Sequence, residues 1–161
     1  MKSTRVSFAA WWLCCLFLMI SPETGALLAG DVVDVEEGTV RIYVGNADGS
    51  GMTRLTDLSE YRYQGSVDWS DEGGKIGFDA YRPQLGETYL QSKIIVVGED
   101  GQNPLVLGDG AMPSFSPKGN RLAYSRYGKG VWLMDLKRPE APVQIDATGW
   151  GTDWSPEGSQ I

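Results

Sequence analysis

The ten residues Trp69-Ser70-Asp71-Glu72-Gly73-Gly74-Lys75-Ile76-Gly77-Phe78 return without a gap as Phe115-Ser116-Pro117-Lys118-Gly119-Asn120-Arg121-Leu122-Ala123-Tyr124. They begin again as Trp154-Ser155-Pro156-Glu157-Gly158-Ser159-Gln160-Ile161. The copies start 46 and 39 residues apart. A unit of that size cannot bury its hydrophobic face alone, so each copy must pack on the next. Ile161 falls where Ile76 and Leu122 stand, and in those copies an apolar strand runs on. The expectation is therefore a chain that stops within a unit.

Outside the first 26 residues no segment carries a 3.6-residue apolar stripe, and short β-rich runs alternate with Gly, Asp, Asn and Pro. This is an all-β pattern. A first strand ends at Trp69, Phe115 or Trp154, a tight turn follows, and a second strand covers Ile76–Asp79 or Leu122–Ser125. The third strand is Ile42–Val44, Ile94–Val97 or Val131–Met134, and a fourth follows Asp48-Gly49 or Asp100-Gly101, the dipeptide that hairpin turns favour. Four antiparallel strands in roughly 40–45 residues make one blade of a β-propeller. The expected division is a lead-in at 27–40 and an incomplete propeller over 41–161. Its blade parts are 41–56, 66–107, 112–145 and 151–161: about half a blade, two full blades and the start of another. That is short of the roughly four to eight blades of a closed ring. Expressed from residue 27, such a chain is expected to self-associate or remain partly unfolded, because its edge strands and inter-blade faces lack neighbours. Trp69, Phe115 and Trp154 share one repeat position, so they are read as structural core.

Residues 1–26 read as a secretory signal peptide: Lys2 and Arg5, an apolar run of 15 residues from Val6 to Ile20, then Thr24-Gly25-Ala26 for cleavage. The run is shorter than the roughly 20 residues of a membrane span. Stable membrane insertion after cleavage is not expected, and the location is the periplasm or outside the cell. Cys14 and Cys15 lie inside the apolar run and leave with it, so the mature chain has neither thiol nor histidine. Cleavage also takes Lys2, Arg5 and Glu23 from 14 basic and 21 acidic residues, leaving a net charge of −8. An acidic exported domain without a Lys/Arg cluster is not a nucleic-acid binder.

Without His or Cys there is no Ser-His-Asp triad, imidazole ligand or thiolate site, and no Gly-x-Ser-x-Gly elbow occurs. Ser155 stands beside a turn, but it recurs as Ser70 and Ser116 and so belongs to the repeat. The spacing of Asp68/Asp71 and of Asp79 with Glu87 singles out neither pair as an acid-base or cation site. Asn46-Ala47-Asp48-Gly49-Ser50 lacks the later positions of a calcium loop and reads as a hairpin turn. No catalytic residue, metal or cofactor is expected for this chain.

The order Trp-Ser-Pro-acidic-Gly, Ile-Tyr-Val, Asp-Gly, Arg-Leu-Thr resembles the WD-like repeat of TolB-type β-propellers. Ile42-Tyr43-Val44, Asp48-Gly49, Arg54-Leu55-Thr56, Phe115-Ser116-Pro117-Lys118-Gly119 and Leu122-Ala123-Tyr124 carry it, over residues 41–161. The resemblance implies a periplasmic scaffold with a protein partner in the envelope, as TolB binds peptidoglycan-associated lipoprotein. It is specific for the fold rather than the function, because the repeat also occurs in propellers that gate serine peptidases and in polysaccharide-active proteins. A glycan ligand, or a catalytic domain beyond Ile161, is thus a rival reading. One departure counts against a TolB orthologue: the α/β domain that TolB carries ahead of its propeller has no room between the leader and Val40.

In an antiparallel meander the second-to-third links and the blade-to-blade links share one face. Those segments hold Tyr61, Arg62, Tyr63, Tyr81, Arg82, Tyr89, Arg126, Tyr127 and Trp150, side-chain types enriched in interface hot spots and here set on loops. They are the candidate binding face. The first full blade also carries an excess of nine residues between its second and third strands, which makes the loop from Tyr81 to Ser92 a functional or mobile segment by expectation.

Overall fold

The computed structural model describes residues 27–34, 37–70, 72 and 74–161; the leader and Asp71 lie outside them. The described residues form β-strands, with two short 3-10 turns at Pro83–Leu85 and Tyr89–Gln91 as the helical elements. Blade one contains β1 (Leu27–Asp34), β2 (Thr39–Asn46) and β3 (Thr53–Arg54). Blade two contains β4 (Tyr63–Ser70), β5 (Lys75–Tyr81), β6 (Lys93–Gly98) and β7 (Leu105–Asp109). Blade three contains β8 (Ala111–Phe115), β9 (Arg121–Arg126), β10 (Gly130–Asp135) and β11 (Val143–Asp146). Within each blade consecutive strands pair antiparallel. A single parallel bridge, Val40 to Tyr63, joins blades one and two.

Two expectations change. The lead-in is itself a strand: β1 pairs with β2 along its whole length, from Leu27 against Asn46 to Asp34 against Thr39. Blade one is therefore three strands where two were expected, since β2 needs a hydrogen-bonding neighbour on that edge. Conversely, Gly151–Trp154 joins no ladder among the described residues. Trp154 docks on blade three instead: its indole N–H donates to the Ser114 carbonyl at 3.0 Å, and the Arg121 guanidinium lies 4.8 Å from its ring.

Two hydrophobic layers hold the blades together, and β6 explains both. Its run Ile94-Ile95-Val96-Val97 is buried on both faces: Ile95 and Val97 join Ile42, Tyr61, Ile76 and Phe78 between blades one and two. Ile94 and Val96 join Phe115, Leu122, Tyr124 and Met134 between blades two and three. Period-two alternation thus serves two cores, and each fully buried Ile or Phe contributes about 1.5–3 kcal/mol. On β5 the same alternation sends Ile76, Phe78 and Ala80 to the first layer. Gly77 faces the second, where a Cβ would stand 3.0 Å from the Phe115 ring. Of the recurring aromatics, Phe115 is buried, while Trp69 and Trp154 are half-buried.

A polar latch repeats with the blades. Three residues before each recurring aromatic, Ser66, Met112 and Gly151 have φ of 51°, 54° and 77°. At Ser66 and Met112 the kink lies within the register shift that separates Gly65 from Asp68 and Ala111 from Ser114. The kink turns an N–H toward the preceding blade: Met112 N–H donates to Asp79 Oδ2 at 2.9 Å, and Gly151 N–H to Ser125 Oγ at 2.9 Å. The repeat serine has a local task, because Ser116 Oγ accepts from Arg121 N–H at 3.1 Å and Ser155 Oγ from Gln160 N–H at 3.0 Å. Both hydroxyls close turns.

Candidate functional site

The candidate residues divide between two blade junctions. At the first, Tyr61 lies in the core at 8 % exposure rather than on a surface. The link that carries it is clamped from below: Arg41 Nη1 donates to the carbonyls of Leu58 and Tyr61, and Gln64 Nε2 to the same two at 3.2 and 3.1 Å. The Arg82 guanidinium caps the Tyr61 ring at 5.7 Å. Arg82 is also paired with Glu87, and this hydrogen bond holds the Glu87 carboxyl below the usual carboxylate range. Tyr63 and Tyr81 are register partners on β4 and β5, and their rings stack with centroids 4.4 Å apart. Arg62 is exposed and donates to the Glu37 carbonyl at 3.1 Å.

The second junction is open. Tyr89 meets Tyr127 edge to face at 5.9 Å, and Tyr127 meets Trp150 likewise at 6.1 Å. The three rings come from the long loop of blade two, the β9–β10 turn and the link after β11, yet each is about half exposed. Arg126 stands behind them, 4.3 Å from the Trp132 ring, with its Nε–H donating to the Asp109 carbonyl at 3.1 Å. A cavity of about 190 Å³ opens here, with Ser92, Gly110 and Lys129 completing its wall. The Lys93 ammonium occupies the Asp109 carboxylate and holds its pKa below the ordinary range.

Ser92 closes the long loop that its length marks as functional or mobile, while nothing in the sequence singles out Lys129; packing of blade three on blade two brings the two together. The long loop is ordered by bonds within it and to the link between blades one and two. Thr88 N–H donates to Gln91 Oε1 at 2.9 Å, Leu90 N–H to Thr88 Oγ1 at 3.3 Å, and Gln84 Nε2 reaches the Glu60 carbonyl at 2.6 Å. The acidic pair considered from sequence is committed elsewhere: Asp79 accepts from Met112, and Glu87 from Arg82. Asp79 is buried at 4 % exposure. Desolvation pushes its carboxyl up to about 6, with the charge of Asp31 adding to the rise and hydrogen bonds from Met112 and Ser66 opposing it.

Comparison with solved structures agrees with this architecture. A protein assigned as TolB from Agrobacterium tumefaciens superposes with a TM-score of 0.68 at 21 % identity, covering 88 % of this chain and 55 % of that one. The fold is that of a TolB-like β-propeller, present in part. TolB from Acinetobacter baumannii gives a TM-score of 0.55 at 19 % identity over 74 % of this chain and 29 % of its own. The tricorn protease gives 0.51 at 12 % identity over 78 % of this chain and 12 % of its own. The chain thus spans about half the length of the A. tumefaciens protein and less of the other two. No protein family model matches the chain, and no curated protein does.

Proposed function

We propose that this chain is an exported, non-catalytic scaffold of the cell envelope that binds a protein partner through its second-to-third and inter-blade loops. The observation that carries the reading is the half-exposed group of Tyr89, Tyr127 and Trp150 around a cavity at the junction of blades two and three. Large rings with a polar tip, held by hydrogen-bonded loops on a sheet scaffold, gain contact area at small cost in conformational entropy. The likeness to TolB structures supports the envelope setting. Among the described residues no helix is long and apolar enough to cross a membrane.

The test is a photo-reactive phenylalanine analogue at Tyr127, and separately at Lys118 on the turns of the opposite face, in protein produced in its own cells. A protease-sensitive adduct at 127 and none at 118 is expected. Equal adducts at both positions, or none at 127, would refute a protein-binding loop face. A second reading draws on the likeness to the tricorn protease: a propeller that sorts peptides for a hydrolase domain. Labelling of the natural gene product by a fluorophosphonate serine-hydrolase probe would decide for it.

A further inference from the structure

We propose that the cavity between blades two and three takes an acidic peptide segment, its carboxylate on Lys129 and Arg126 and an adjacent apolar side chain against Tyr89, Tyr127 and Trp150. This rests on the protein-binding reading above and adds the chemistry of the partner.

Three observations carry it. The first is charge. The chain is acidic overall, at −7, yet the cavity wall presents two cations, Arg126 and Lys129, against one carboxylate, Asp109, which pairs with Lys93 and also feels both wall cations, so positive charge is in excess here. Lys129 forms no ion pair among the described residues. Arg126 is held in place by Trp132 and by the Asp109 carbonyl. A negative group finds an attractive spot here on a chain of net negative charge, which is how charge selects a partner.

The second is an unused hydroxyl. Ser92 is 3 % exposed and lines the cavity, and its Oγ has no hydrogen-bond partner. Buried polar groups are nearly always paired, so this hydroxyl is suited to a group supplied from outside, such as a peptide carbonyl or N–H.

The third is the shape of the aromatic wall. The rings meet at 82° and 83°, which makes a corner for a side chain rather than a flat platform for the face of a sugar ring.

The experiment titrates the full chain with three short capped probes: Asp-Phe-Asp-Glu, its uncharged counterpart Asn-Phe-Asn-Gln, and N-acetylglucosamine trisaccharide. Saturable binding of the acidic peptide is expected, weakened at least about tenfold by Lys129→Glu and weakened by salt between about 50 and 300 mM. Ser92→Ala is expected to weaken it severalfold. Lys129 is exposed, so its variant should keep the wild-type melting curve, which separates lost binding from lost fold. Equal affinity for the two peptides, indifference to Lys129→Glu, preference for the trisaccharide, or no binding of any probe would each overturn the proposal. If adducts still form at position 127 in those cases, protein binding by this face stands and only the acidic chemistry fails. Absence of adducts removes both.

Discussion

The two blade junctions use similar residues and reach opposite ends. Between blades one and two, Tyr61 is buried, Arg82 is spent on Glu87 and on the Tyr61 ring, and Tyr63 stacks on Tyr81. Between blades two and three, Tyr89, Tyr127 and Trp150 touch one another by their edges and stay half exposed. The links account for the difference. Residues 55–62 form a long crossing that Arg41 and Gln64 pull onto the core through its carbonyls. The second crossing is the single residue Gly110 between β7 and β8, too short to cover anything. A Tyr or Arg on a propeller loop is therefore open to a partner only where the neighbouring link leaves it uncovered.

The largest expected effect is on the sealed junction. Gln64→Ala removes a fully buried amide and leaves the Leu58 and Tyr61 carbonyls and Thr56 Oγ1 with fewer partners. A loss of about 3 kcal/mol in urea denaturation is expected, with peptide binding at the other junction retained.

Next is Asp79, on the latch between blades two and three. Its folded pKa of about 6 lies above the ordinary 3.8, so the folded state holds the proton more tightly than the unfolded chain. Stability from this group is full below about pH 4 and is lost as pH rises through 6, by up to about 3 kcal/mol. Exposed carboxylates such as Asp48 and Glu157, with lowered pKa values, work in the opposite direction. The difference between wild type and Asp79→Asn isolates the effect: denaturation midpoints should converge near pH 4, and the variant should gain steadily up to pH 7. A constant difference across that range would contradict a protonated buried Asp79.

Smaller again is Met112→Gly. It relieves the positive φ of 54° at a β-bulge while keeping the N–H that reaches Asp79, and a gain of about 0.5–1 kcal/mol is expected. Smallest is Tyr127→Ala, whose ring is 58 % exposed. Its melting curve should move by less than about 0.5 kcal/mol equivalent while binding of the acidic peptide is lost.

Much of this was legible in the chain. The recurring turn and aromatic positions give the blade period, and the strands β4–β6 and β8–β10 lie where the repeat puts them. β1 was not legible, because Leu27–Asp34 has neither the aromatic nor the turn that marks a blade and becomes a strand only as the partner of β2. The same dependence on a neighbour works in reverse at Gly151–Trp154, which has strand-like sequence and no ladder. For the site, topology places Tyr89, Tyr127 and Trp150 on loops of one face, but periodicity cannot tell an exposed loop tyrosine from Tyr61, which packs inward. Arg126 and Lys129 share the β9–β10 turn, where Lys129 N–H donates to the Arg126 carbonyl at 2.9 Å, but Ser92 joins them only through blade packing, over a separation no local motif spans.

Amide hydrogen exchange on the full chain, with and without the acidic peptide, compares the two junctions in a single measurement. Added protection confined to residues 89–92, 126–129 and 149–151, with 57–64 unchanged, is the predicted result. Protection centred on 57–64, or spread evenly over both junctions, would contradict an open binding site beside a sealed structural one.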